Sequence, residues 1–206
     1  MDIQVFQMTP FVENCYVLSE DGEAIIIDAG DVTFELEEAL AGLRVTMIVN
    51  THGHCDHCGG NKRLVASTGG ELACHRADWP LLSAIEQQGH MFGVSFPPSP
   101  KPQRWLEDGE SLKVGATELR VIHVPGHSPG HIALVGPGMV FCGDVLFAGS
   151  IGRTDLPGGD QEQLLASIKE RLIPLGDETV VYPGHGPYTT MGAERISNPY
   201  IAGLWV

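Results

Sequence analysis

Four apolar runs in this chain each end by handing a histidine or an aspartate to a loop, and no other feature restricts its fold as much. Val45-Thr46-Met47-Ile48-Val49 leads into Thr51-His52-Gly53-His54-Cys55-Asp56-His57, and Leu119 to Val124 leads into Gly126-His127. Val140-Phe141-Cys142 leads into Gly143-Asp144, and Val180-Val181-Tyr182 into Pro183-Gly184-His185. Short runs of this kind, bounded by Gly or Pro, read as buried β-strands. In the last three, a glycine just before the polar residue lets the backbone turn sharply. Strand ends that deliver His or Asp to loops let side chains distant in sequence converge, at the place where α/β proteins put their chemistry.

The residue types say what converges there. Three imidazoles and one carboxylate fall within the six residues His52 to His57, which is hard to explain as core or as ordinary surface. His and Asp are the ligands that zinc and similar divalent ions take, and a carboxylate beside them holds or deprotonates a water. Gly59 and Gly60 open a helical pattern, so the cluster lies on a strand-to-helix loop. His52, His54, Asp56, His57, His127, Asp144 and His185 are therefore read as metal ligands. His75, His90 and His123 have no such setting and are read as structural or exposed. His131 lies at a strand entry, where orienting a neighbour or bonding the backbone is expected rather than coordination.

Composition bounds the function. The 206 residues suffice for one domain over 1–206 with a core that needs no staples, and neither repeat nor linker divides it. With 12 basic and 26 acidic residues the formal charge is −14, which would repel a phosphate backbone and argues against nucleic acid. Bound cations would reverse that sign locally, so an anionic small molecule is still allowed. The five cysteines, Cys15, Cys55, Cys58, Cys74 and Cys142, are odd in number and irregularly spaced, which suits a reducing compartment rather than a disulfide framework. Cys55 and Cys58 form a C-x-x-C pair, but with no second pair they are expected to be small packing residues. The N-terminus lacks a signal-peptide pattern and no run reaches membrane-spanning length, so a cytoplasmic protein is expected.

A pass along the chain predicts strands at Ile3 to Met8, Asn14 to Leu18, Ala24 to Asp28, Glu71 to Cys74, Gln103 to Leu106, Ser111 to Val114, Leu119 to His123, Ile132 to Val135 and Met139 to Cys142. It predicts helices at Thr33 to Leu43, Gly60 to Ser67, and from an Asp160 cap through Leu172, with Gln163 at the capping-box position. The Pro-rich segment Trp79 to Arg104 reads as an irregular cover on the sheet, or else as a lid over the metal pocket. Arg153, soon after Asp144, is a candidate for binding a substrate carboxylate, although an Arg beside Asp155 more often pins a loop.

The H-x-H-x-D-H pattern at His52, His54, Asp56 and His57, followed in order by His127, Asp144 and His185, resembles the metallo-β-lactamase superfamily over essentially the whole chain. The resemblance implies an α/β fold, the αββα sandwich of two mixed sheets, with a binuclear site at one edge. It places His52, His54 and His127 on one metal, Asp56, His57 and His185 on the other, and Asp144 between them. Several lactamases of the superfamily carry Cys where this chain has Asp144, which turns the reading away from β-lactams. The stretches Thr51 to Gly60, Pro125 to His131 and Gly143 to Asp155, with the tail from Gly184 to Tyr200, resemble the short bacterial glyoxalase II-like branch. That branch implies hydrolysis of S-D-lactoylglutathione or a related thioester by a metal-bridging hydroxide, with Asp56 orienting the nucleophile or taking its proton. Two divalent ions are implied, zinc first and iron or manganese as substitutes. The longer members bind glutathione partly through a C-terminal helical region that this chain does not match.

Two other readings stand beside it. Persulfide dioxygenases also resemble the chain and would need one iron on His52, His127 and Asp144, but the complete second set favours hydrolysis. A non-catalytic metal-binding protein is the remaining class. The oligomeric state is not readable from the sequence.

Overall fold

In the computed structural model, which describes residues 1–203, these runs assemble into two six-stranded sheets. The first follows chain order: β1 (Asp2–Met8), β2 (Glu13–Glu20), β3 (Glu23–Ile27), β4 (Arg44–Val49), β5 (Glu71–Cys74) and β6 (Arg104–Trp105). Its first three strands pair antiparallel and the rest parallel. The second sheet contains β7 (Ser111–Val114), β8 (Thr117–His123), β9 (Ile132–Gly136), β10 (Met139–Gly143), β13 (Val180–Pro183) and β14 (Thr189–Thr190), in the order β14-β13-β10-β9-β8-β7. Only β10 and β13 pair parallel there. A separate hairpin, β11 (Leu146–Phe147) and β12 (Ser150–Ile151), follows Asp144.

Strand alternation fixes the layers. In β3, Ile25 and Ile27 enter the core between the sheets, together with Met47 and Val49 of β4 and Leu119, Val121, Leu134 and Phe141 from the second sheet. Ala24 and Ile26 point the other way, onto Leu36 and Leu40 at α1 (Phe34–Ala39) and Leu64 of α3 (Asn61–Thr68). Between α1 and α3, the single turn α2 (Cys55–Cys58) carries Asp56 and His57. The outer face of the second sheet buries Leu164 of α6 (Gln161–Ser167) and Met191 of α7 (Met191–Ser197). Where both faces are covered, as at β3 and β10, the strands read as nearly unbroken apolar runs. A bulge in β4 opposite Ala24 and Ile25 inserts Thr46 as the extra residue, whose hydroxyl donates to the Ala24 carbonyl. The result is the expected αββα sandwich.

Local differences have local causes. The helix expected over Thr33 to Leu43 is capped by Thr33, whose Oγ1 accepts from Leu36 N–H, but it ends at Ala39, before the left-handed turn at Gly42. Asp160 caps α6 through Gln163 N–H, yet its own N–H donates to the Gly126 carbonyl, so the reciprocal half of the capping box is not formed. The first half of the expected irregular cover is helical, as α4 (Trp79–Leu82) and α5 (Ile85–Met91). Pro80 falls in the first turn of α4, where its missing N–H has no consequence. All five cysteines are free and buried, and Cys55, Cys58 and Cys74 pack with Leu82, Ile85 and Phe96.

Candidate metal centre

The loops after β4, β8, β10 and β13 meet at one edge of the sandwich and bring all seven sequence-predicted ligands together. His52, His54 and His127 each place a ring nitrogen within 4.8 Å of the others, and Asp56, His57 and His185 form a second such group. His54 Nδ1 stands 2.9 Å from His127 Nε2, and His57 Nε2 stands 3.3 Å from His185 Nε2. Asp144 lies between the groups. Its Oδ1 is 3.5 Å from His57 Nε2, while Oδ2 is 3.6 Å from both His127 Nε2 and His185 Nε2. Asp56 Oδ2 is 3.3 Å from His185 Nε2.

The outer ring nitrogens are held by acceptors, which decides where the lone pairs point. His127 Nδ1 faces the Arg153 carbonyl at 2.7 Å and His185 Nδ1 the Phe11 carbonyl at 3.2 Å. A carbonyl accepts only, so each Nδ1 carries the proton and each Nε2 lone pair faces inward. His57 Nδ1 donates in the same way to Asp28 Oδ2 at 3.2 Å. Thr51 Oγ1 lies 2.6 Å from Asp28 Oδ2 and 3.0 Å from His52 Nδ1. The threonine proton goes to the carboxylate, so His52 Nδ1 donates to Thr51. His52 Nε2 and Asp144 Oδ1 are buried polar atoms without a hydrogen-bond partner among the described residues. Such atoms are costly unless something satisfies them, and a divalent cation between converging lone pairs does so. The residues fit a metal.

Charges in the metal-free site follow from burial and neighbours. Burial opposes protonation of His57, but the Asp144 and Asp56 carboxylates outweigh it and hold its pKa well above the usual histidine value. Burial and the like charge of His57 keep His52 neutral. Burial and the neighbouring His127 push His54 down to about 3. Burial opposes ionisation of Asp144, but the charged His57 imidazole 3.5 Å from its Oδ1, with His127 and His185 beside Oδ2, holds it far below the usual carboxylate range. A metal held by His57 Nε2 would therefore have to displace its proton. Zinc added to metal-free protein at neutral pH is expected to release at least one proton per chain, since against burial the Asp56 and Asp144 carboxylates raise the His185 pKa as well, and zinc affinity to rise with pH up to the raised His57 pKa. Acidification of a dilute buffer on zinc addition reads this directly; no release contradicts it. In the metal-free chain the His57 pairing also stabilises the fold at neutral pH, and that contribution is lost as pH rises through the His57 pKa.

One feature of the site was not legible beforehand, and a second was legible only as the alternative reading of Trp79 to Arg104. Asp28 reads in the sequence as the last residue of a strand. It instead leaves β3 in the left-handed region at φ 52° and turns its carboxylate under the site, where it also accepts Thr51 N–H at 2.7 Å. The apolar run Ile25-Ile26-Ile27 ending in an acid is the same signal that revealed the other strand ends. The second feature is the pocket wall. A cavity of about 380 Å³ opens over the centre, with Phe11, Phe92, Phe147, Ile151 and Leu156 as its apolar lining and Gln88 and Cys55 at its side. The segment after Trp79 thus contributes Gln88 and Phe92 to the pocket. Arg153 also lines it, but its guanidinium makes a bidentate pair with Asp155 at 2.7 and 2.8 Å, and its carbonyl orients His127. His131 stays out of the ligand groups: its Nδ1 donates to the Ile132 carbonyl and its Nε2 accepts Asp144 N–H.

Gly184 admits no side chain. A Cβ there would overlap Asp144 Oδ1 and come within 2.7 Å of His57 Cε1. Gly184→Ala is expected to lower turnover about 10²-fold by displacing Asp144, the order that a misplacement of about 1 Å produces. A steady-state assay beside a thermal melt separates this from unfolding, and wild-type turnover contradicts it.

Two mixed sheets between helices, with a His and Asp cluster on the loops at one edge, define a metal-dependent hydrolase. The chain belongs to the metallo-β-lactamase superfamily, whose family model matches residues 8–185. It is 38% identical to the hydroxyacylglutathione hydrolase GloC of Haemophilus influenzae, over 98% of both chains. Among solved structures, BLEG-1, a B3 metallo-β-lactamase, is similar at 35% identity and a TM-score of 0.90, over 98% of this chain and 100% of that one. TTHA1623 in a di-iron-bound form is similar at 39% identity and a TM-score of 0.88, over 96% and 99%. Among the described residues no helix is long and apolar enough to cross a membrane.

Proposed function

We propose that this protein is a binuclear thioesterase of the glyoxalase II-like type, acting on S-D-lactoylglutathione or a related acyl-thiol. The observation that carries the proposal is Asp144, standing between two three-residue groups with its oxygens 3.5 to 3.6 Å from nitrogens of both. His52, His54 and His127 would hold one divalent ion, Asp56, His57 and His185 the other, and Asp144 would bridge them. Zinc suits this donor set first; the di-iron form of TTHA1623 is a reason to test iron as well. When bound, two such ions supply Lewis acidity toward a carbonyl and an acidified water.

The chain's own residues account for the rest. Asp56 is on the pocket wall and partly exposed to it, with its pKa held down by His57 and His185 against the effect of burial. It is thus an ionised carboxylate able to orient a water or take its proton. Cys55, the thiol on that wall, is pushed up to about 11 by burial and the nearby Asp56, so it stays a neutral thiol and makes a poor nucleophile. In this reading a water at the centre is the attacking group. The phenylalanine-lined cavity would receive the acyl and thiol arms and exclude solvent from the carbonyl. Arg153 would meet a substrate carboxylate only by leaving Asp155.

The test compares S-D-lactoylglutathione, a chromogenic cephalosporin and glutathione persulfide on one preparation with its metals measured. Thioester turnover well above the other two supports the proposal. Cephalosporin turnover in its place would align the chain with BLEG-1, and a single iron with oxygen uptake on persulfide would make it a dioxygenase.

A further inference from the structure

The two loops that carry His52, His54 and His127 share one acceptor. Gly53 N–H, between the first two histidines, donates to Asp78 Oδ2 at 2.8 Å, and Ser128 Oγ donates to the same oxygen at 2.6 Å. Gly130 N–H donates to Asp78 Oδ1 at 2.5 Å. Asp78 is wholly buried at the entry to α4, outside the ligand groups and off the pocket wall. We infer that Asp78 is a positioning residue that sets the separation between the His52–His54 loop and the His127 loop, and with it the geometry of the three-imidazole group.

The inference rests on the reading of those three histidines as ligands of one ion. Its support is steric as well as electronic. A Cβ on Gly53 would lie 2.8 Å from the Asp78 carbonyl oxygen and from Leu81 Cβ, and one on Gly130 would lie 2.5 Å from Asp78 N. Both loops therefore press against the turn that carries Asp78, and a glycine stands at each contact. An ionised carboxylate offers acceptors only, on two oxygens, which is what three converging donors require. The same helical segment holds the signature loop a second time. Gln88 Nε2 donates to the Gly53 carbonyl at 3.1 Å, and Gln88 Oε1 accepts Cys55 N–H at 3.0 Å. The signature loop is thus fixed from outside at Gly53 and Cys55, either side of His54, while its imidazoles face inward.

The experiment compares Asp78→Asn and Ser128→Ala with wild type in three readouts: the melt of the metal-free protein, zinc affinity by competition with a chromophoric chelator, and the visible absorption of the cobalt(II)-loaded protein. The Asp78→Asn amide would turn an N–H₂ toward at least one donor. This variant is expected to weaken zinc binding about 10- to 100-fold, the range for lost ligand-orienting partners, and to alter the cobalt spectrum. Ser128→Ala, losing one of three bonds, is expected to weaken zinc several-fold without preventing folding. Variants that melt lower yet bind zinc with wild-type affinity and an unchanged cobalt spectrum would make Asp78 a merely structural carboxylate. Where Asp78→Asn does not fold, Ser128→Ala decides on the same readouts. Wild-type protein that takes up no zinc overturns the ligand reading and this inference together; wild-type uptake with unaltered variants overturns this inference alone.

Discussion

Replacing Asp144 with alanine is expected to reduce two-metal occupancy to one ion or fewer per chain and to lower turnover on the order of 10³-fold or more. Asp144 reaches both groups. Its Oδ1 faces His57 and its Oδ2 faces His127 and His185, and the backbone fixes it from behind, where Asp144 N–H donates to His131 Nε2. Removing it leaves His57 without one of the three carboxylates that favour its protonated form, so the His57 pKa falls toward the normal range in the metal-free protein. Metal analysis after dialysis, paired with a steady-state assay, reads the outcome. Two retained metals with full turnover would refute the bridging assignment.

The second large effect is expected at Asp28, which lies off the pocket wall and outside the two proposed ligand groups. Its carboxylate holds His57 Nδ1 directly and His52 Nδ1 through Thr51, so one side chain orients an imidazole in each group. Asp28→Asn keeps a residue that tolerates the left-handed backbone found at φ 52°. It removes the charge, and its amide nitrogen would oppose one of the three present donors. Metal affinity is expected to fall about 10- to 100-fold with only a modest loss of turnover at saturating zinc. A chelator competition assay that returns wild-type affinity would show that Thr51 and the packing of His57 suffice without the carboxylate.

What the sequence disclosed and what it withheld divide along physical lines. Buried strands announce themselves by composition, and Glu71–Cys74 and Ser111–Val114 are found where the apolar pattern puts them. The seven candidate ligands were legible because each follows such a strand directly, so a local pattern predicted a convergence between loops far apart in the chain. The helices at Trp79–Leu82 and Ile85–Met91 were not, since they are one to two turns long, interrupted at Ser83 and Ala84, and too short for a helical period to stand out. Asp28 and Asp78 escaped for another reason. Each acts on the site through hydrogen bonds to residues 23 to 52 positions away, and a lone aspartate carries no pattern that names its partner. Arg153 carried two readings, a substrate-carboxylate contact and a loop pin, and its pairing with Asp155 matches the second.

The most direct test of the binuclear account is a zinc titration of the metal-free wild-type protein, followed by chelator competition or calorimetry. The account predicts two tight equivalents per chain, the second lost in Asp144→Ala. One tight equivalent in the wild type, unchanged by that replacement, would contradict it.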